Sequence, residues 1–182
     1  WMSIDKLKYY SVQKSDLKRL FENVKFSASA NPENQAVNCV RFEYEEEKLK
    51  AAGTDTYRLS YSKIDLKTDG RHSEEKLQTS VPLGVVDGLV KSMKSKLGIP
   101  KEKVLIRCDE NKISFKLTGI EIVSDLIKLE FPDYKAIIEN LNVDKQAVIH
   151  TKDFLAVLKR AYAVAKSNKE AKNGAIFEFE QN

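Results

Sequence analysis

One spacing constrains this chain more than any other property: three amphipathic segments recur every 69 residues. Leu17, Val86 and Leu155 stand 69 positions apart, as do Leu20, Leu89 and Leu158, and Val24, Met93 and Tyr162. Within each copy these positions fall at i, i+3 and i+7, which is one face of an α-helix. Each copy opens with an extended stretch, breaks at a polar residue or proline, and then turns helical. The copies run from Leu7 to Lys25, Lys76 to Leu97 and Lys145 to Lys166. A repeat of this kind is one supersecondary unit used again, so the fold should be assembled from copies of it.

Strand patterns follow the helices. Val37 to Tyr44 leads through the acidic turn Glu45-Glu46-Glu47 to a second run from Lys48 to Ala52. Val104 to Arg107 leads through Asp109-Glu110-Asn111 to Lys112–Lys116, and Gly119 separates that run from Ile120–Ser124. Turn chemistry between period-2 runs signals hairpins. Each unit therefore reads β-α-β-β-β, an α+β class with helices on one face of antiparallel sheets. Two repeats, 6–75 and 76–130, make a first domain over 1–140, and 141–182 opens another. Leu129 to Asn142 shows neither period and reads as a linker, with Pro132 barred from any central strand. Ala175 to Glu180 alternates as a strand with no partner following it, so it should be weakly held or pair with a neighbouring chain. On this repeat, 182 residues amount to two full units and part of a third, so the chain reads as a piece of a longer protein. Trp1 ahead of Met2 agrees with a tag remnant or fragment boundary.

Charge is partitioned between the elements. The segments Lys14–Lys25, Leu83–Lys96 and Thr151–Lys172 carry +2, +2 and +4, whereas the whole chain carries only +4. The helices are basic and the remainder is acidic. Lys14, Lys18, Arg19, Lys91, Lys94, Lys159, Arg160 and Lys166 avoid the apolar stripes and should point to solvent. If the helices share one face, that face attracts phosphates regardless of sequence, with steep salt dependence. An ordinary solvated helix face rich in lysine is the alternative reading of the same residues.

Several chemistries are excluded. No GxGxxG or Walker loop, HExxH, CxxC pair or GxSxG occurs. His72 sits in a polar loop, and His150 precedes a helix, where it suits a capping or surface role. The acids Glu45-Glu46-Glu47 and Glu74-Glu75 fall in turns and read as solvated. No nucleophile–base constellation emerges, so neither catalysis nor a metal or cofactor is expected. No apolar run reaches a membrane-spanning length. The absence of a signal-peptide core, together with two scattered cysteines, Cys39 and Cys108, points to a reducing, cytoplasmic setting.

Two local motifs carry a resemblance: Ala52-Gly53-Thr54-Asp55-Thr56-Tyr57-Arg58-Leu59-Ser60, and Leu126-Ile127-Lys128-Leu129-Glu130-Phe131-Pro132-Asp133-Tyr134. With Phe26-Ser27, they resemble the middle domain of the bacterial DNA sliding-clamp family, the β subunit of DNA polymerase III. The family pattern reads close to ATDGHRLA, followed further on by FPDY. Residues 6 to 140 look like the middle domain and 145 to 182 like the opening of the third. The resemblance implies the DNA-clamp fold and a ring homodimer whose helices line a duplex-DNA channel. It also implies a non-catalytic processivity factor that binds short peptides of the replicative polymerase and clamp loader. The middle-domain wall of that peptide pocket maps to Val37, Thr54, Thr56, Tyr57, Arg58, Leu59, Pro132 and Ile137. Apolar walls would take Leu and Phe side chains, with backbone groups near Arg58 fixing the peptide. Plain core packing is the competing reading for Val37, Leu59 and Ile137.

Two departures stand out. Thr56 occupies a position where the family usually has Gly, which puts the local turn in question if positive φ is required. Pro82 is followed by Leu83 and Gly84 rather than by basic residues, which weakens the expectation of a DNA contact there. A free-standing monomeric nucleic-acid-binding module, and an enzyme of unfamiliar constellation, are the alternatives to the clamp reading.

Overall fold

The computed structural model describes residues 8–66, 76–94, 101–167 and 175–178. His72 and Glu74-Glu75 lie outside the described residues. The chain divides into two compact units, Trp1–Ile138 and Glu139–Asn182.

In the first unit the elements are β1 (Lys8–Gln13), α1 (Lys14–Glu22), β2 (Cys39–Glu45), β3 (Lys48–Thr54), β4 (Leu59–Asp65), β5 (Leu77–Pro82), α2 (Leu83–Met93), β6 (Lys103–Cys108), β7 (Lys112–Leu117) and β8 (Ile120–Asp125). That order is the β-α-β-β-β unit twice over. The strands form two four-stranded antiparallel sheets, ordered β4-β3-β2-β5 and β1-β6-β7-β8. Each repeat thus gives its first strand to the other's sheet: β1 pairs with β6 with Val12 opposite Val104, and β5 pairs with β2 with Val81 opposite Val40. The exchange makes the repeats interdependent, because neither sheet is complete without a strand from its sequence neighbour.

The core follows from the two periodicities. On β2, Val40, Phe42 and Tyr44 join the main core, whereas Cys39 packs in a second, separate cluster. Alternation along a strand assigns these sets to opposite faces of the sheet. Leu17, Leu20, Val24, Val86, Leu89 and Met93 are all buried, as the repeat predicts for its first two copies. Phe21 of α1 lies 5.4 Å from Phe42 of β2 and 6.1 Å from Phe115 of β7, so one aromatic triad ties a helix to both sheets.

The turn between β2 and β3 is Glu46-Glu47, with φ of 52° and 56°. A two-residue hairpin loop with both residues left-handed matches the twist of the flanking strands, a geometry usually supplied by Asn-Gly. Here hairpin geometry prevails over the intrinsic preference of glutamate.

The segment read as a linker contains more structure than its pattern suggested. Tyr134–Glu139 forms a short helix, α3, and both Phe131 and Tyr134 are buried. Asp133 Oδ1 accepts the Ala136 N–H at 3.1 Å and so caps it. A helix of six residues buries too few positions to print a helical period. Its stability comes from the sheet beneath it.

In the second unit α4 spans Thr151–Ser167. His150 caps it, as expected: its carbonyl accepts the Phe154 N–H and its Nδ1 lies 3.1 Å from Asp153 Oδ2. The strands expected at 145–150 and at Ala175–Glu180 are not seen in the described parts of those segments, although Phe177 lies against Phe154 with ring centroids 5.9 Å apart. A strand exists only as one member of a pair, and no partner strand is present among the described residues of this unit. For the same reason the third apolar triplet is not a buried face here: Leu155 is 48% and Tyr162 62% exposed.

Candidate functional site

The loop from β3 to β4 is held by its own side chains. Thr54 Oγ1 donates to the Arg58 carbonyl at 2.7 Å and accepts the Thr56 N–H at 3.0 Å. Asp55 Oδ1 accepts the N–H groups of Tyr57 and Arg58 at 3.1 and 3.0 Å. Desolvation alone would raise the Asp55 pKa, but these N–H groups and the nearby guanidinium hold its carboxyl below the usual range. The Arg58 side chain then bridges outward. Its Nε lies 3.1 Å from Asp55 Oδ2, Nη2 donates to the Phe26 carbonyl at 2.8 Å, and the guanidinium sits over the exposed Phe26 ring.

Thr56 has φ of 78°. The position therefore does require the left-handed region, and a β-branched residue there is strained. The Thr54 and Asp55 hydrogen bonds impose the turn against that preference. Strain of this kind costs roughly 1–3 kcal/mol, partly offset by the roughly 0.5–1 kcal/mol of unfolded-chain entropy that glycine brings. Thr56→Gly is accordingly expected to stabilise the protein by about 1 kcal/mol, read as a higher urea midpoint at unchanged slope.

A second segment meets this loop's strand. Phe131 and Tyr134 pack with Cys39 of β2 and Ala52 of β3, and Leu59 at the start of β4 joins them. Tyr61 of β4 stacks at 5.6 Å on Tyr134. The segment Phe131–Ile137 therefore lies across the face of the sheet opposite to the main core. This contact brings Leu59 together with the stretch that carries Pro132 and Ile137. Tyr57, at 97% exposure, and Ile137, at 51%, are open to a ligand. Val37 and Thr54 are buried, Thr54 serving as the loop's internal brace, and Val37 enters neither apolar cluster.

Sequence reasoning missed the groups beneath this segment. Glu43 on β2 is 3% exposed, yet it is a carboxylate. Its Oε1 accepts from Arg41 Nε at 3.0 Å, and its Oε2 accepts from Tyr134 Oη and Lys135 Nζ, each at 3.0 Å. Burial pushes its pKa up, but the hydrogen bonds from Lys135, Arg41 and Tyr134 outweigh that and hold it below the usual carboxylate value. The Glu43 bond in turn raises the Lys135 pKa. Glu45 extends the network: Lys76 and Lys50 pair with it at 2.6 and 3.2 Å and pull its pKa down to about 2. A cavity of about 920 Å³ borders this network and is lined by Arg41, Glu43, Thr79, Pro132 and Lys135 among others. The only signal available in the sequence was an acidic residue at a strand position flanked by large apolar neighbours, Phe42 and Tyr44.

In the first unit Arg19, Lys91 and Lys94 are exposed, and in the second unit, taken by itself, Lys159, Arg160 and Lys166 of α4 are exposed. Lys14 departs from the expectation of a solvent-facing cation. Its side chain is 18% exposed and pairs with Glu102 at 2.6 Å. It closes the start of α1 onto the chain just ahead of β6. Lys18 pairs with Glu22 at 3.8 Å, and Lys94 pairs with the same carboxylate at 3.5 Å. Cys39 and Cys108 are buried free thiols, pushed by burial up to about 11 and about 12, so both stay protonated. Among the described residues no group of three His, Cys, Asp or Glu side chains could hold a metal ion, and no helix is long and apolar enough to cross a membrane.

Two four-stranded sheets built from exchanged β-α-β-β-β repeats, backed by paired helices, define a clamp-type domain. The family model of the DNA polymerase III beta subunit, central domain, matches residues 11–133, and the chain belongs to that family. The beta sliding clamp of Buchnera aphidicola is 28% identical over 130 residues, which cover 69% of this chain and 32% of that protein. The chain thus spans about a third of the length of that relative. Among solved structures, the DNA polymerase III beta subunit of Thermotoga maritima aligns with a TM-score of 0.75 at 22% identity, covering 90% of this chain and 42% of that one. The DNA polymerase sliding clamp of Bacillus subtilis aligns with a TM-score of 0.74 at 20% identity, covering 90% and 41%. These likenesses carry the fold: the α+β class expected from the repeats, and the clamp architecture implied by the resemblance, are the ones observed.

Proposed function

We propose that this chain is part of a sliding clamp, a non-catalytic processivity factor of the bacterial replicative DNA polymerase. In this reading two longer protomers close a ring in the cytoplasm around duplex DNA, and the chain's basic helices face the phosphates. The residues for that role are Lys18, Arg19, Lys91 and Lys94, with Lys159, Arg160 and Lys166 of α4. Non-specific phosphate attraction lets such a ring slide without reading sequence. Peptides of the polymerase and clamp loader dock on the opposite side, against Thr56, Tyr57, Arg58, Leu59, Pro132 and Ile137. Val37 and Thr54 support that wall from within. Residues 1–140 form the middle domain and 141–182 begin the next.

The observation that carries this reading is a division between the two faces of one sheet. Leu59, where the β3–β4 loop ends, meets Phe131 and Tyr134 on its outer face, while α1 and α2 pack on its inner one. One molecule can therefore hold DNA on one side and a partner peptide on the other.

The test is fluorescence anisotropy of a labelled synthetic nonapeptide with Leu and Phe near its C-terminus, titrated with the 182-residue chain. Saturable binding is expected, weakened roughly tenfold by Tyr57→Ala, since an exposed aromatic is a typical anchor of such contacts. Undiminished binding by that variant would place the peptide elsewhere.

A further inference from the structure

We propose that Glu43 is the positioning residue of the peptide-docking wall: it latches the Phe131–Glu139 segment onto β2 and so sets where Pro132 and Ile137 stand. The inference rests on the docking reading above and adds a residue that the resemblance does not assign. Glu43 is buried at 3% exposure, and two of its three partners, Tyr134 and Lys135, belong to α3. The Tyr134–Glu43 bond joins residues 91 apart in sequence. No regular ladder holds α3: it is six residues long, too short to persist alone. Apart from its apolar contacts with Cys39, Ala52, Leu59 and Tyr61, these polar bonds fix it to the sheet.

The chemistry explains why the latch has directional force. An apolar patch lets a segment slide, because hydrophobic contact is non-directional. A buried carboxylate does not, because an unpartnered charge there is costly. Oε2 needs both the Tyr134 hydroxyl and the Lys135 ammonium, and their side chains leave the helix at adjacent positions. Satisfying both fixes the rotation of α3 as well as its distance from β2. Arg41 holds the other oxygen and pins the Glu43 rotamer from the same strand. Lys135 also reaches Glu45 at 3.6 Å, so the latch continues along the strand.

The experiment compares wild type with Glu43→Gln, Tyr134→Phe and a control, Ile113→Val. Ile113 is fully buried on β7, in the other sheet, and its variant lowers stability without touching α3. Two readouts are taken: anisotropy of the nonapeptide, and amide hydrogen exchange at Ala136 and Ile137. The latch predicts about fivefold weaker peptide binding and about tenfold faster exchange at both amides in the first two variants, the effect of losing a charge-assisted bond. The control should change neither, so a general loss of stability is separated from a loss of position. Wild-type exchange at Ala136 and Ile137 in both Glu43→Gln and Tyr134→Phe overturns the latch, as does wild-type peptide affinity in both. Should wild type fail to bind the peptide, the docking reading falls, and the exchange data alone decide the latch.

Discussion

Phe42→Ala is expected to lower stability by about 4 kcal/mol, the middle of the range for truncating a buried phenylalanine. The ring is fully buried on β2, 5.4 Å from Phe21 and 6.4 Å from Phe115. Those neighbours come from α1 and from a strand of the other sheet. The space left by the ring is therefore walled by a helix and two sheets, each fixed by its own hydrogen-bond ladder. Such walls close in little, so the cavity cost adds to the lost transfer energy. Both repeats lose packing at once, and unfolding should stay a single transition with a lower urea midpoint and unchanged slope. A loss under about 1 kcal/mol would show that the core repacks and that the triad is not the joint between the repeats.

Gly53→Ala is expected to cost about 3 kcal/mol, which is large for the addition of one methyl group. The glycine lies near the end of β3, where the strand passes under the turn that follows α1. A Cβ there would stand 2.4 Å from the Val24 carbonyl oxygen and 3.4 Å from the Ala28 nitrogen. Both are backbone atoms of a tight turn, with no flexible side chain to swing aside. Relief requires moving either that turn or the end of β3. Moving β3 would also disturb Thr54, whose hydroxyl braces the loop bearing Thr56, Tyr57 and Arg58. Gly53→Ala should therefore weaken nonapeptide binding as well as stability. In contrast, Gly88→Ala, with nothing within 4 Å of its added Cβ, should leave both within a small margin of wild type. Equal urea midpoints for the two variants would refute the close-approach argument.

The elements were legible because their signals are local. Leu17, Leu20 and Val24 recur as Val86, Leu89 and Met93, and burial of a helix face needs only that spacing. The hairpin turns at Glu46-Glu47 and Gly119 fall where the period-2 runs break. The motif around Thr54–Leu59 was legible as a resemblance, and the structure brings Leu59, at its end, against Phe131 and Tyr134. In the third copy local signals no longer suffice. Its helix forms, since α4 needs only itself, but Ala175–Phe177 and the stretch before His150 carry strand patterns without strands. A strand pattern states a preference, and a sheet also needs a neighbour. Lys14 shows the same limit in electrostatics: its position on the helix wheel said solvent, and Glu102, 88 residues away, drew it in.

By itself, then, the sequence determined the repeat, the α+β class, the order of elements in the first unit and the separation of basic helical segments from an acidic remainder. All of these follow from periodicity and composition within a span of a few residues. Only the tertiary structure decided that β1 and β5 change places between the sheets, that a short helix covers the outer face of β2, and that Glu43 lies buried beneath it between Arg41, Tyr134 and Lys135. Each depends on groups brought together across tens of residues, where no local pattern reaches. A carboxylate becomes a latch only once the fold has removed the water around it and supplied the donors.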